Sequence, residues 1–392
     1  MALSIVDALL PDGSTATVRV EAGLVRAVGA AAEPGDDLLH AGGRLLLPAM
    51  AEAHAHLDKA FLAETVPNPT GDLYGAIEAM ETHRHLITRD DTAARAERAA
   101  RLILANGATA IRTHADVTSE NGLMSVAALL EVRERLRGLV DIQVVALSGW
   151  PSTNDEQRAL VREAIAMGID GVGGCPHLED DAEAATDLFL ELAGEAGLFL
   201  DLHTDETLDP TKFALPYLAR RVLDTGFAHG VSASHCVSLG MQSPEVQRRT
   251  AELVAAAGIS VIALPSSNLY LQGRAHQEAM PRGLTAVRAL REAGVNVAAG
   301  ADNLQDPFNL VGRGDCLETA ALMVMAGHQL PDDAFHSVSA AARRALGLQV
   351  AGLSPGDVAD LVLVSAASVR EAVAFGPEGR TVLRNGVIVA GT

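Results

Sequence analysis

Histidine and acidic residues recur in four separate stretches of the 392-residue chain. These stretches are His54-Ala55-His56, His203-Thr204-Asp205-Glu206, His235 and Asp302-Asn303. Two histidines that lie two residues apart in a strand place both imidazoles on the same face. Neutral imidazole and carboxylate groups are the ligands that catalytic divalent ions take in proteins. The pattern predicts a metal site, where a bound water would have its pKa lowered toward neutrality and act as a nucleophile.

These residues need a scaffold that brings distant stretches together. Short apolar runs alternate with segments of helical periodicity, such as Asp90–Asn106, and this alternation is typical of βαβ units. The predicted strands are Leu47–His56, Thr109–Val117, Asp141–Gly149, Gly171–His177, Leu198–Glu206, Val231–Val237, Ser260–Ser267 and Asn296–Asn303. They predict a (β/α)8 TIM barrel over residues 49–352, with the four stretches at the carboxyl ends of strands 1, 5, 6 and 8. Active sites of such barrels lie at that end.

The two ends of the chain have a different pattern. Residues 1–48 and 353–392 contain short alternating segments with glycine between them, including ATVRVEAGLVRAVGA and RTVLRNGVIVAG. Such segments are typical of strands joined by tight turns. We expect the two ends to pair as one small composite β-sandwich, so the predicted fold is an α/β barrel with a second, terminal domain.

The amino-acid composition indicates which binding partners and which cellular compartment to expect. The chain has 30 Lys and Arg against 50 Asp and Glu, a formal net charge of −20, and such a surface repels nucleic-acid phosphate. Three widely spaced cysteines cannot form a closed disulfide framework, which is typical of a reducing compartment. No apolar run approaches the roughly 18 residues of a spanning helix, and the first residues lack the basic segment of a signal peptide. We therefore expect a cytoplasmic protein with no nucleic-acid or membrane partner.

Several motifs together resemble the amidohydrolase superfamily, and more narrowly its cytosine deaminase-like branch, which includes isopropylammelide aminohydrolases and other heterocycle deaminases. The motifs are HAHLDKAF, RTHADV, LDLHTDE, ASHC and AGADNLQDPF, spread over nearly the whole chain. The resemblance implies that His54, His56, His203 and Asp302 hold one divalent ion, zinc or iron. His235 would be a further ligand or would orient the nucleophilic water. The resemblance also implies assembly into a homo-oligomer.

The same resemblance implies the reaction. Metal-bound hydroxide would attack an amino-bearing carbon of a small heterocyclic substrate of the pyrimidine, pterin or triazine type. Glu206, three residues after His203, occupies the position that shuttles protons in these deaminases and would protonate the ring nitrogen. Asp302 would collect the proton of the water and pass it to the departing ammonia. The chain is thus predicted to be a metal-dependent hydrolase of non-peptide C–N bonds.

The resemblance also implies a substrate pocket, with the apolar Leu147 as an additional wall. The predicted substrate-binding residues are Leu73, Gly149, Trp150, His177, Asn303 and Phe308. Cytosine deaminases resembled here place a glutamine where this chain has Gly149, so cytosine itself is a doubtful substrate and a bulkier ring is favoured. Lys59 is either a substrate contact or an ordinary paired lysine, while Cys175 and Cys236 are expected in the core.

Two other functions remain open. The same site would also suit opening of a cyclic amide or amidine ring, which the sequence does not distinguish from removal of an exocyclic amine. A catalytically silent barrel that binds a ligand or metal is the non-enzyme alternative, and the acid at Glu206 argues against it. A nucleic-acid editing deaminase is disfavoured by the negative charge and by the lack of an HxE and PCxxC pattern.

Overall fold

The computed structural model describes residues 2–391, and two sheets contain the strands of this part of the chain. The strands are β1 (Ala2–Leu9), β2 (Thr15–Glu21), β3 (Leu24–Val28), β4 (Asp37–His40), β5 (Leu45–Pro48), β6 (Met50–Ala55), β7 (Ala108–Val117), β8 (Asp141–Ser148), β9 (Gly171–Gly174), β10 (Phe199–Thr204), β11 (Val231–His235), β12 (Ser260–Ala263), β13 (Val297–Ala299), β14 (Leu361–Val364), β15 (Thr381–Arg384) and β16 (Val387–Ala390).

Helices connect the strands and cover the barrel. They are α1 (Leu73–His83), α2 (Arg89–Ala105), α3 (Met124–Arg135), α4 (Asp155–Ala166), α5 (Ala182–Ala196), α6 (Leu215–Thr225), α7 (Val237–Gly240), α8 (Pro244–Ala256), α9 (Pro265–Leu271), α10 (Val287–Glu292), α11 (Cys316–Met325), α12 (Pro331–Val338), α13 (Ala340–Ala345) and α14 (Val369–Phe375), with 3₁₀ turns at Arg84–Leu86 and Pro176–Leu178. Among residues 2–391, none of these helices combines the length and the apolar character that crossing a membrane requires.

The central sheet consists of strands β6 to β13, which lie side by side in chain order and pair in parallel. A bridge between Ala55 and Asp302 joins the end of the first of these strands to the segment after the last, so the sheet is nearly closed. The predicted (β/α)8 barrel is therefore confirmed. Its core is built largely from buried alanine, valine and leucine, as expected for parallel strands covered by helices.

Strand β9 shows why glycine is needed at some positions of the barrel. A Cβ atom at Gly171 would lie 2.2 Å from the ring of Phe199, and one at Gly174 would lie 2.0 Å from the ring of Phe189. Both distances are far below van der Waals contact, so the two aromatic rings occupy the space that side chains would need. The strand ends at Gly174, earlier than the predicted His177, because Pro176 begins a 3₁₀ turn there.

The second sheet combines both ends of the chain, as predicted, and its strands are ordered β16-β15-β14-β5-β1-β2-β3, with β4 beside β1. Most pairs are antiparallel, while β1 pairs in parallel with β4 and β5. Its own apolar core includes Ile5, Val18, Leu46 and Leu361. The exact domain division, residues 1–48 and 353–392 against residues 49–352, stays a prediction.

The sheet and the barrel are joined directly. Strand β5 ends at Pro48 and barrel strand β6 begins at Met50, and the N–H of the intervening Ala49 donates to the carbonyl of Asp360 at 2.8 Å. The buried Asp360 carboxylate accepts hydrogen bonds from Thr109 Oγ1 at 2.8 Å and from Arg343 Nη1 at 3.0 Å. The start of the first barrel strand is thus fixed by residues from the terminal sheet.

Candidate active site

Imidazole and carboxylate groups meet at the carboxyl end of the barrel. Asp302 Oδ1 lies 3.2 Å from His56 Nε2 and 3.5 Å from His54 Nε2, and Asp302 Oδ2 lies 4.0 Å from His235 Nε2. The Nε2 atoms of His56 and His203 are 3.2 Å apart. Donor atoms of His54, His56 and His203 all lie within 4.8 Å of one another, as do those of His54, His235 and Asp302. The structure therefore brings together the five residues that the sequence singled out around a metal.

Unusual backbone geometry at the strand ends places these side chains. Asp205, His235 and Asp302 have φ angles of 51°, 66° and 66°, in the left-handed region that non-glycine residues rarely adopt. Such strain persists only where surrounding contacts stabilise it. The Asp205 carboxylate accepts hydrogen bonds from the backbone N–H groups of Ala214 and Leu215, at 2.8 and 3.0 Å. Asp302 accepts a short hydrogen bond from Ser267 Oγ.

The left-handed conformation at His235 breaks the alternation expected of a strand. Ser234 Oγ contacts His54 inside the barrel, and the next side chain, His235, also lies in the cluster of histidines. The turn continues through Cys236, whose φ is 49° and whose thiol is buried in the apolar core, as predicted. Cys175, also expected in the core, instead lines the cavity above the site.

The charges of the cluster suit a cation. Burial, together with the neighbouring histidines, places the pKa values of His54 and His203 well below the usual value, so these rings are neutral and offer lone pairs. Burial alone would raise the pKa of Asp302, but its contacts with His56, His235 and Ser267 lower it to about 2. Within residues 2–391, the buried Nε2 atoms of His54 and His235 have no hydrogen-bond partner. Neutral imidazoles, an ionised carboxylate and unsatisfied nitrogen lone pairs form a donor set that fits a divalent ion such as zinc.

Glu206 is the second carboxyl group at the site. Its Oε1 atom lies 3.5 Å from His235 Nδ1, which in turn lies 3.1 Å from the side-chain oxygen of Asn268. Burial raises the pKa of Glu206 to about 7, an effect that the nearby His235 opposes and Asp302 reinforces. A carboxyl group with such a pKa can both donate and accept a proton near neutral pH.

A cavity opens above these residues. His56, His203, Glu206, His235 and Asp302 form its polar base. Its walls are mainly apolar, built from Leu73, Ile77, Met80, Leu147, Trp150, Leu178 and Phe308. Largely apolar walls over a few polar groups are typical of a small-molecule site.

Five of the six predicted substrate-binding residues line this cavity: Leu73, Gly149, Trp150, Asn303 and Phe308. His177 is not among the lining residues; it is buried behind strand β10, with Nδ1 3.1 Å from the carbonyl oxygen of His203. Trp150 is held on the rim by a 3.3 Å hydrogen bond from its indole nitrogen to the carbonyl of Leu178. A Cβ atom at residue 149 would lie 2.6 Å from Gln157 Oε1, so glycine there both lines the cavity and leaves room for Gln157.

Lys59 is a buried, paired lysine that also lines the cavity. Its ammonium nitrogen lies 2.6 Å from Asp116 Oδ1, 3.4 Å from Asp58 Oδ1 and 3.3 Å from His56 Nδ1. Despite the cost of burial, the two carboxylates keep the pKa of Lys59 above its usual value. Both interpretations of this residue, an ion pair and a substrate contact, are compatible with this position.

Sequence reasoning missed a group of buried polar residues inside the barrel. The ring centroid of His114 lies 4.1 Å from that of His54, and His114 Nε2 lies 3.8 Å from Asp201 Oδ1. Arg112 forms an ion pair of 2.7 Å with Asp201, and both side chains are buried. The two-residue alternation of a strand could have indicated these positions. Arg112 and His114 share one face of β7, and Asp201 shares one face of β10 with the proposed ligand His203.

Comparison with known proteins agrees with this geometry. The model of the amidohydrolase family matches residues 69–390. The chain belongs to the amidohydrolase family. Within this family it falls in the cytosine deaminase-like branch, as the sequence motifs predicted, and family membership makes it a hydrolase that acts on carbon–nitrogen bonds.

Three relatives illustrate the branch. A pterin deaminase from Rhizobium rhizogenes is 35% identical over 357 residues, which cover 88% of this amidohydrolase and 80% of the relative. The crystal structure of 5-methylcytosine deaminase from Klebsiella pneumoniae has a TM-score of 0.90 and 30% identity, with coverage of 100% and 98% of the two chains. That of N-isopropylammelide isopropylaminohydrolase from Burkholderia multivorans has a TM-score of 0.85 and 31% identity, with the same coverage.

Proposed function

We propose that this amidohydrolase removes an exocyclic amino group from a nitrogen heterocycle by hydrolysis, releasing ammonia or a small amine. The observation that carries the proposal is the joint placement of a metal-type donor set and of the buried acid Glu206 at the base of one apolar cavity. A site built only to bind would not need a carboxyl group whose pKa lies near neutrality.

The proposed cofactor is one divalent ion, zinc or iron. His54, His56, His203 and Asp302 would hold it, with His235 either as a further ligand or as a partner of the water. When bound, such an ion activates water for attack on an electrophilic carbon. The fit is supported by neutral imidazoles next to an ionised carboxylate in a site that is almost fully buried. The segment GVGGCPH at the end of β9 contains no lysine that would bridge a second ion.

Glu206 is proposed to move the protons of the reaction. Its carboxyl group lines the same cavity as Asp302, and it would protonate the ring nitrogen next to the carbon under attack. Because burial raises its pKa to about 7, the group is able to regain a proton between turnovers. Asp302, whose pKa is lowered to about 2, is the stronger candidate to stay ionised and to accept the proton of the attacking water before it passes to the amine.

The substrate is proposed to be a flat heterocycle of the pterin, triazine or pyrimidine type. Apolar side chains from α1, from the loop after β8 and from Phe308 would contact its faces, and Asn303 would contact its polar edge. Pterin is the first candidate because the pterin deaminase shares 35% identity with this chain. Gly149 carries no amide to pair with a pyrimidine edge, so cytosine is expected to be a poor substrate.

The test is release of ammonia or, from N-isopropylammelide, of isopropylamine by the metal-loaded protein over a panel of pterin, N-isopropylammelide, 5-methylcytosine and cytosine. We expect turnover of at least one of them, with a product mass that shows replacement of an amino or alkylamino group by oxygen. A product that retains its nitrogen and gains one water would show ring opening instead, which is the alternative reaction at this site. No turnover of any heterocycle with a stoichiometrically loaded site would support the silent binding barrel.

The cellular compartment, the oligomeric state and the binding partners of the enzyme are also proposals. We propose that it is a cytoplasmic homo-oligomer that acts on small molecules without a nucleic-acid partner. The net charge of −20 supports the last point, since it opposes association with phosphate backbones. Light scattering of the purified protein measures its mass in solution, and a single-chain mass of 40.7 kDa would contradict the oligomer.

A further inference from the structure

A chain of hydrogen bonds runs through the barrel below the cluster of histidines. His54 Nδ1 lies 2.9 Å from Ser234 Oγ, and Ser234 Oγ lies 3.0 Å from Asp201 Oδ1. The other oxygen of this carboxylate, Oδ2, accepts a hydrogen bond of 2.7 Å from Arg112 Nη1. At most 2% of each of these four residues is exposed, so water does not compete for these contacts.

The order of donors and acceptors in this chain fixes the position of one proton. Asp201 is paired with a guanidinium, which is always charged, and an ionised carboxylate only accepts hydrogen bonds. Ser234 has one hydroxyl proton, which it donates to Asp201, so its oxygen accepts the bond from His54. His54 must then carry its proton on Nδ1, and the lone pair of the neutral ring is on Nε2. Nε2 is the atom that lies 3.5 Å from Asp302 Oδ1.

Arg112, at the end of these hydrogen bonds farthest from His54, is held by residues from several elements. Arg112 also binds Gln143 Oε1, Ser232 Oγ and the carbonyl of Ala345, each at 3.0 Å, and its guanidinium lies 4.0 Å from the centroid of the Phe199 ring. These partners lie on β8, β11, α13 and β10, so the orientation of Asp201 is determined by several elements of the barrel.

Support of the Nδ1 atom differs between two of the proposed ligands, His54 and His203. The Nδ1 atom of His203 is buried and has no hydrogen-bond partner anywhere in residues 2–391. The ring of His54, by contrast, is also packed against His114, at a centroid distance of 4.1 Å and an interplanar angle of 34°. Both its tautomer and its rotation are therefore restricted.

We propose that Ser234 and Asp201 are positioning residues that hold His54 in the Nδ1–H tautomer and so present its Nε2 lone pair to the divalent ion. Arg112 anchors Asp201 in this arrangement. The role toward the ion rests on the proposed function, whereas the tautomer itself does not depend on any metal. Outer partners of this kind commonly contribute 10- to 100-fold to metal affinity.

The first experiment measures Zn²⁺ affinity by competition with a chelating indicator in wild type, Ser234→Ala and Ser337→Ala. The control also removes a buried hydroxyl group, but Ser337 contacts Gln329 and the carbonyl of Asp333 and none of the residues that hold His54. We expect affinity to fall about 10- to 100-fold in Ser234→Ala and to stay at the wild-type value in Ser337→Ala. Unchanged affinity in Ser234→Ala, or an equal loss in the control, would overturn the proposal.

The second experiment determines the tautomer directly and needs no variant of Ser234 or Asp201. Long-range ¹H–¹⁵N spectra of histidine-labelled, metal-free protein distinguish Nδ1–H from Nε2–H, with His54 assigned by comparison with His54→Gln. We expect the Nδ1–H form in the wild-type protein, and an Nε2–H form would refute the inference even if Ser234→Ala fails to fold. A wild-type protein in the Nδ1–H form that binds no Zn²⁺ would instead refute the metal site of the proposed function.

Discussion

Replacing Glu206 by glutamine tests the proton transfer on which the proposed reaction depends. Glutamine keeps the length and shape of the side chain but cannot donate or accept the proton, while the histidine donor set is left in place. General acid–base catalysis contributes about 10²- to 10⁴-fold to rates. At about 1.36 kcal/mol per tenfold change, the expected loss is about 2.7 to 5.4 kcal/mol of transition-state stabilisation.

The assay is steady-state release of ammonia or amine from the substrate found in the panel, with metal content measured by elemental analysis of the same sample. We expect Glu206→Gln to lose kcat by the stated factor and to keep its metal. Glu81→Gln is the matched control, because Glu81 lines the same cavity but is exposed at the rim. A Glu206→Gln enzyme with a rate within tenfold of wild type would refute the assigned role, and loss of its metal would show that Glu206 supports the ion instead.

Three further outcomes are expected. His203→Ala should lose both bound metal and turnover, measured by elemental analysis and ammonia release; retained stoichiometric metal would contradict its role as a ligand. Arg112→Met leaves Asp201 as a buried unpaired charge, so urea unfolding of the metal-free protein should show a loss of about 3–5 kcal/mol; a smaller change would contradict the ion pair. Burial raises the pKa of Glu52 to about 8, so the metal-free folded state holds a proton that the unfolded state has lost above its ordinary value near 4.5. Stability should therefore fall as pH rises from about 5 to 8, and Glu52→Gln should flatten that slope in thermal unfolding.

The barrel and the terminal sheet were predictable because their patterns are local and repeated. Apolar strands followed by helical periodicity specify βαβ units, and the ends of these strands are the places where a barrel gathers its polar residues. The histidine pair at residues 54 and 56 and the later His203 and Asp302 therefore predicted that these four side chains lie close together, as they do in the structure.

Other features depend on backbone geometry that a strand pattern does not contain. Alternation places neighbouring residues on opposite faces, yet the left-handed φ of His235 directs both it and Ser234 into the barrel. His177, which the family resemblance placed at the pocket, contacts the carbonyl of His203 instead, because β9 ends at Gly174 and the chain turns before this residue. Cys175 lies in the cavity because the strand ends before it.

The buried polar residues below the site were missed for a different reason. Arg112, His114 and Asp201 lie in strands that were correctly predicted. The two-residue alternation of these strands places all three side chains on the face that points into the barrel. Sequence alone gives no partner for an inward-facing charge, since the partner comes from another strand of the barrel. Only the register between β7, β10 and β11 shows that these side chains satisfy one another beneath His54.

The single residue between the terminal sheet and the barrel, Ala49, has a practical consequence for engineering this enzyme. His54 lies in strand β6 and His56 directly follows it, and Ala49, the residue before this strand, donates a backbone hydrogen bond to Asp360, near the other end of the sequence. Deleting the last 40 residues would remove Asp360 and so release the start of that strand. Circular permutants that preserve the site must keep residues 45–56 uncut and place the new ends in an outer loop.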